Sequence, residues 1–264
     1  MALRFCSFSS GSSGNCYMVA TETTVLLVDA GISARKVWAG LETAGLGPSD
    51  LKALLLTHEH GDHVRSVRPV VRKAENLEVY ANRATWEQLP GNVGEERRRS
   101  FVSRQEFTVG DLRVRPFPVS HDAAEPVGFS FFAGEKQLSI VTDTGCVGPE
   151  LLEEIRGADL LVLEANHDAD ILRMGPYPYF LKQRILGEYG HLSNEAAGRT
   201  LLRLLEEGTK EKRVLLGHLS RENNFPEMAG QTVKNILEEK EYYIGRDLEL
   251  EILKREEASR IYEW

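Results

Sequence analysis

The densest chemistry in this 264-residue chain lies in Thr57-His58-Glu59-His60-Gly61-Asp62-His63. Neutral imidazole nitrogens suit zinc, and a carboxylate suits the same ion or a harder neighbour such as manganese. His58 and His60 alternate around one residue and can grip one ion, while Asp62 and His63 can turn toward a second. The alternative is a solvated loop, but so many ligand types this close together are rare by chance. The apolar run Leu51 to Leu56, broken only by Lys52, precedes the motif, and Val64 to Arg68 follows with helical spacing. The motif is therefore expected in a loop between a buried strand and a helix start, where side chains can converge.

Other candidates follow apolar runs. His121 comes after Pro116 to Ser120, Asp143 after Leu138 to Thr142, and His218 after Val214 to Gly217. Taken singly, each is a turn or cap residue as readily as a ligand. Open α/β architectures place ligands at the C-terminal ends of strands, so convergence of the three on one rim is the expectation. Asp29 ends the run Thr24 to Val28; it is either a turn former or an acceptor that orients a ligating histidine. The small-residue loop Ser9 to Asn15 is either a hairpin turn or a lip able to approach an anion.

The elements that must position these groups follow from periodicity. Strands are expected at Leu3 to Phe8, Cys16 to Ala20, Thr24 to Val28 and Leu77 to Ala81, with helices at Ile32 to Leu46, from about His63 to Val70 (bent by Pro69), and at Asn82 to Leu89. Pro90 to Gly94 reads as a loop. Alternating runs between Glu106 and Thr142 predict an antiparallel section. Beyond it, helices at Pro149 to Ile155, Pro178 to Leu186, Ser193 to Glu206 and Pro226 to Glu239 alternate with strands at Leu160 to Glu164, Val214 to Leu216 and Leu248 to Leu253. The class is α/β (α+β): two face-to-face sheets with helices outside, in one domain spanning 1–264.

Composition sets bounds. Apolar residues make up 42% and charged residues 27% of the chain, ordinary for a soluble globular protein. No apolar stretch is long enough for a membrane span and no secretory leader pattern opens the chain, so a cytoplasmic protein with no membrane partner is expected. Three cysteines without a CxxC pair argue against a disulfide framework and for buried apolar thiols. The net charge of -8 disfavours coating of nucleic acid by bulk electrostatics. Bound cations would reverse the field locally, and Arg65, Arg68, Arg72, Lys73 and Arg97-Arg98-Arg99 form either solvated faces or a phosphate-tracking surface. No feature sets an oligomeric state.

HEHGDH followed by the isolated His121, Asp143 and His218 resembles the metallo-β-lactamase superfamily over the stretch from Asp29 to His218. The resemblance implies an αββα sandwich with two divalent metal ions (Zn or Mn). His58, His60 and His121 would hold one ion and Asp62, His63 and His218 the other, with Asp143 bridging and Asp29 supporting the ligands from behind. His60 argues against the oxygen-reducing branch, which usually carries Glu there. Leu163-Glu164-Ala165-Asn166-His167, Gly190-His191-Leu192-Ser193 and Gly217-His218-Leu219-Ser220-Arg221 resemble segments of tRNase Z-like phosphodiesterases. The chain lacks the β-CASP insertion and the long tRNA-gripping arm. Its SSGSSGN loop, the Tyr177 to Gly187 stretch running into GHLSN, and GHLSRENN are similar to the bacterial YycJ (WalJ) family of DNA 5′-to-3′ exonucleases linked to mismatch repair.

That resemblance implies a metal-dependent phosphodiesterase with DNA as partner. Asp62 would orient the attacking water and accept its proton, and His191, polarised by Glu164, would protonate or stabilise the departing oxygen. Ser193 is a good N-cap, so His191 would stand beside a helix N-terminus suited to phosphate. His167, Arg184, Ser193, Arg221, Asn223 and Asn224 are candidate substrate contacts; a structural role for His167 stays open. Two other functions also stay open: hydrolysis of a small phosphodiester or thioester, and a non-catalytic metal-binding scaffold.

Overall fold

The computed structural model describes residues 2–89, 91, 93–209 and 212–264, with Lys212 described by its backbone; Pro90 and Asn92 of the expected loop lie outside these. The chain divides into two compact units, one running to Pro118 and including Ala123–Lys136 and Lys254–Trp264, the other comprising Val119–Asp122 and Gln137–Leu253.

In the first unit, β1 (Arg4–Ser9), β2 (Cys16–Ala20) and β3 (Val25–Val28) form an antiparallel meander. Helix α1 (Ala34–Thr43) then crosses over to β4 (Leu51–Leu55), which pairs parallel with β3, as the helical connection between them requires. Ser33 caps α1 by accepting from Lys36 N at 3.4 Å. Val37, Gly40 and Leu41 form its buried face, over a core that includes Phe8, Met18, Leu27 and Leu54.

The helix expected from His63 is two: α2 (Gly61–Val64) and α3 (Val67–Lys73), separated at Arg65-Ser66 rather than bent at Pro69. Pro69 falls in the first turn of α3, where its missing N–H costs nothing. β5 (Glu78–Asn82) and α4 (Arg83–Gln88), capped by Asn82, follow. β6 (Arg98–Phe101) was not legible as a strand. It pairs parallel with β5, and the basic run that hides it is structural. Arg97 donates to Val71 O and Ala74 O at 2.7 and 3.0 Å, at the end of α3, and Arg98 to Val93 O at 2.9 Å. β7 (Phe107–Val109), β8 (Leu112–Pro118) and β9 (Val127–Ala133) are antiparallel.

The second unit is built on four parallel strands: β10 (Lys136–Val141), β11 (Leu160–Glu164), β12 (Lys212–Gly217) and β13 (Leu248–Ile252), adjacent in that order. Near-continuous runs such as Leu160 to Leu163 and Val214 to Leu216 are buried throughout, as strands covered on both faces require. The crossovers contain α5 (Pro149–Arg156), α6 (Ala169–Met174), α7 (Tyr179–Leu186), α8 (Asn194–Glu206) and α9 (Pro226–Glu238); α6 was not anticipated. β14 (Tyr262–Glu263) returns to the first unit beside β1. Cys6 and Cys16 are buried and Cys146 is exposed, in the turn after Asp143. No helix of the described residues is long and apolar enough to cross a membrane.

Candidate metal centre

Parallel pairing explains how distant residues meet. In the first unit, Val28 lies opposite Leu55, so Asp29 leaves β3 level with the turn that follows β4. Its carboxylate accepts from Thr57 N–H and Thr57 O–H at 2.9 Å each and from His63 Nδ1 at 2.7 Å. Burial pushes the Asp29 carboxyl up, against the pull of His63 and Thr57. Thr57 Oγ1 also lies 3.0 Å from His58 Nδ1. A hydroxyl that donates to Asp29 can accept only a proton held on Nδ1 of His58. Each imidazole is thereby set in the tautomer whose Nε2 carries a lone pair, which is the form a metal ligand needs.

The His58 and His60 rings pack edge to face at 4.6 Å, and one ligand atom of each lies within 4.8 Å of the other. His63 Nε2 and Asp62 Oδ2 are 3.4 Å apart. Gly31 makes the close approach possible: a Cβ there would sit 1.6 Å from Asp62 O. The small-residue loop contributes Asn15, whose N–H donates to Asp62 O at 2.8 Å and whose amide reaches His63 Nε2 at 3.1 Å. The roles of Thr57, Asn15 and Gly31 were missed from sequence; a hydroxyl directly before the histidines was the available signal for Thr57.

In the second unit Val141, Leu163 and Leu216 are in register across three neighbouring strands. Their C-terminal ends deliver Asp143, Glu164 and His218 to one rim, as expected of a parallel sheet. Buried Glu164 is the hub. Its Oε1 accepts from His191 Nδ1 at 2.8 Å and His218 Nδ1 at 2.7 Å, and its Oε2 from Thr144 N–H at 2.8 Å. Burial pushes Glu164 up, but His191 and His218 together hold it down, at about 2. His191 moves the other way: despite burial, Glu164 and Asp143 raise its pKa. His121 donates from Nδ1 to Gly190 O at 3.0 Å. Asp143 Oδ1 then stands 3.7 Å from His121 Nε2 and 3.6 Å from His218 Nε2.

These separations are too long for hydrogen bonds. Two ligands bonded at ~2.1 Å to one tetrahedral ion sit about 3.4 Å apart, close to the 3.4, 3.6 and 3.7 Å found between imidazole and carboxylate atoms. Together with the tautomers, this donor set fits divalent cations. A further group, Asp143, Glu164, His191 and His218, also has one ligand atom each within 4.8 Å of the others.

Three of the five non-glycine residues with positive φ among the described residues are Asp29 (60°), Asp143 (57°) and His218 (55°), each just past a strand end. Such backbone strain gathers where side-chain aim matters more than stability.

The remaining candidates are distributed differently. Ser193 caps α8, accepting from Ala196 N–H at 3.1 Å. Arg184 engages Asp122. Arg221 is exposed, beside Glu222. Asn223 is buried, its N–H on Ser220 Oγ at 3.2 Å. Asn224 is buried, and its amide donates to Ala165 O at 2.8 Å and Asn194 Oδ1 at 2.8 Å. His167 is buried, neither ring nitrogen has a hydrogen-bond partner among the described residues, and burial lowers its pKa to about 4.

Fold and site together define a hydrolase of the metallo-β-lactamase type: two mixed sheets flanked by helices, with histidine and aspartate groups able to bind metal ions. The family model described as "Beta-lactamase superfamily domain" matches residues 24–219, and the chain belongs to that superfamily and, within it, to the YycJ/WalJ exodeoxyribonuclease family. It is 40% identical over 253 residues to "Exodeoxyribonuclease YycJ" of Bacillus anthracis, covering 95% of each chain. It is 38% identical over 255 residues to "Exodeoxyribonuclease WalJ" of Streptococcus pneumoniae, covering 95% of this chain and 94% of the relative. Among solved structures, the metallo-β-lactamase fold protein YhfI from Bacillus subtilis superposes with a TM-score of 0.76 at 18% identity, covering 100% of both chains.

Proposed function

We propose that this protein is a dinuclear metal-dependent phosphodiesterase that degrades DNA as a 5′-to-3′ exonuclease, acting in DNA repair in the cytoplasm as a single functional domain. The observation that carries the reading is the Glu164–His191 pair at 2.8 Å beside Asp143, in a chain 40% identical to an exodeoxyribonuclease over 95% of its length. Glu164 and Asp143 raise the His191 pKa against its burial, which favours the protonated ring that a departing sugar oxygen needs as a donor.

In this reading His58, His60 and His121 would hold one divalent cation and Asp62, His63 and His218 the other, with the Asp143 carboxylate completing the donor set; zinc and manganese each suit such donors. Such cations would supply Lewis acidity and bring a water's pKa from 15.7 toward ~7. Asp62 takes up the proton of the attacking water. Asp29, Thr57 and Glu164 keep the ligand imidazoles in their working tautomers. His191 protonates the leaving oxygen, and the N-terminus of α8 beyond it favours the phosphate's charge.

The test is incubation of end-labelled single- and double-stranded DNA and RNA with the manganese- or zinc-loaded protein. The expected product is a metal-dependent ladder that starts at the 5′ end of DNA. His191→Ala should lower turnover by about 10²–10⁴-fold with metal content unchanged. Turnover of small phosphodiesters or thioesters without turnover of polynucleotides would overturn the nuclease reading, and so would full activity in His191→Ala.

A further inference from the structure

Eight large hydrophobic residues are exposed among the described residues, and four of them fall within sixteen positions: Met174 (81% exposed), Tyr179 (77%), Phe180 (74%) and Tyr189 (64%). Tyr179 and Phe180 open α7, a helix of eight residues with none buried. Its apolar Leu181, Ile185 and Leu186 are only half-buried, so the helix gains little from a core, and the bare aromatic rings at its start call for another explanation.

The helix is nevertheless held firmly at both ends. Lys182 Nζ donates to Arg173 O at 2.7 Å, at the end of α6. At the other end His191 N–H donates to Ile185 O at 3.0 Å, and a Cβ on Gly190 would sit 2.2 Å from that same oxygen. The far end of α7 is thus fastened directly to the backbone of His191, while its near end displays the rings.

We propose that the surface formed by Met174, Tyr179, Phe180 and Tyr189 is a stacking platform for unpaired bases of a single DNA strand, leading to His191; this rests on the nuclease reading above. Rings stack on any base face, and cations beside them track the phosphates. Beside the rings, Arg173 and Arg184 are more than half exposed and held in surface ion pairs with Asp170 and Asp122, pairs weak enough to yield to a phosphate. A second copy of the chain is the less suitable occupant. A twofold pair would set the patch against itself and oppose both arginines to their own copies.

The experiment titrates protein into a 5′-fluorescein single strand of roughly 16 deoxythymidines, read by anisotropy in EDTA so that binding is separated from cleavage. Tyr179→Ala and Phe180→Ala should each weaken binding by about 5-fold to 150-fold. Tyr179→Trp and Phe180→Trp should keep it, and hydrolysis of a small chromogenic phosphodiester should be unchanged in all four variants. Failure of the wild type to bind, or equal affinity in the alanine variants, would overturn the platform. So would a wild-type dimer that the alanine variants dissociate without loss of DNA affinity. Ring-dependent binding in a protein that never cleaves DNA would uphold the platform and sink the nuclease reading. Cleavage indifferent to the rings would do the reverse.

Discussion

Replacing Asp29 separates its contribution to stability from its contribution to metal binding. Asp29 is fully buried and accepts from Thr57 N–H, Thr57 O–H and His63 Nδ1. In Asp29→Ala the hydroxyl can turn and accept from His63 Nδ1, 3.2 Å away, but Thr57 N–H remains buried without an acceptor, at about 1–3 kcal/mol. Alanine also suffers at φ 60°, where left-handed backbone adds about 1 kcal/mol or more. Asn tolerates that conformation and keeps the shape, so Asp29→Asn strands one donor and costs about 1–3 kcal/mol. An amide that turns its NH2 toward His63 pushes the ring's proton onto Nε2, the atom meant for the metal. Metal affinity should therefore fall about 10- to 100-fold in Asp29→Asn, out of proportion to its mild instability. Urea unfolding of the metal-free protein gives the first quantity, and competition with a chromophoric chelator gives the second. Wild-type metal affinity in a destabilised Asp29→Asn variant would refute the orienting role.

Two further outcomes follow from the geometry. His167 has a folded pKa of about 4, below its unfolded value of ~6.5, so the unfolded chain binds more protons between these limits and stability falls as pH drops through that window. Relative to His167→Leu, the metal-free wild type should lose about 3 kcal/mol between pH 7 and pH 4 in urea unfolding; a difference independent of pH would contradict the burial argument. Gly31→Ala brings a Cβ to 1.6 Å from Asp62 O, so it should cost about 1–3 kcal/mol and weaken metal binding by shifting the histidine loop. Unchanged melting and metal titration curves would deny the close approach.

Much of the candidate site was legible because its residues are local or mark strand ends. HEHGDH announces itself through density alone, and Asp143, Glu164 and His218 each end an apolar run that proves to be a buried parallel strand. Ser193 was legible as a cap for the same local reason. What stayed hidden depends on contacts between distant residues. The strand Arg98–Phe101 reads as a charged loop because Arg98 and the preceding Arg97 turn their guanidinium groups onto the carbonyls of Val93 and Val71. Asn224 reads from sequence as a candidate substrate contact, and only the fold shows its amide donating to Ala165 and Asn194. Nor could spacing reveal that one carboxylate, Glu164, orients two histidines that lie 27 residues apart in sequence.

The most direct measurement is anomalous diffraction from crystals of the manganese- or zinc-loaded protein, collected on both sides of the metal's absorption edge. Two peaks per chain are expected, one bonded to His58, His60 and His121, the other to Asp62, His63 and His218, with Asp143 touching both, at bond lengths of about 2.0–2.2 Å. A single peak, or peaks that leave His121, Asp143 and His218 without a bond, would contradict it.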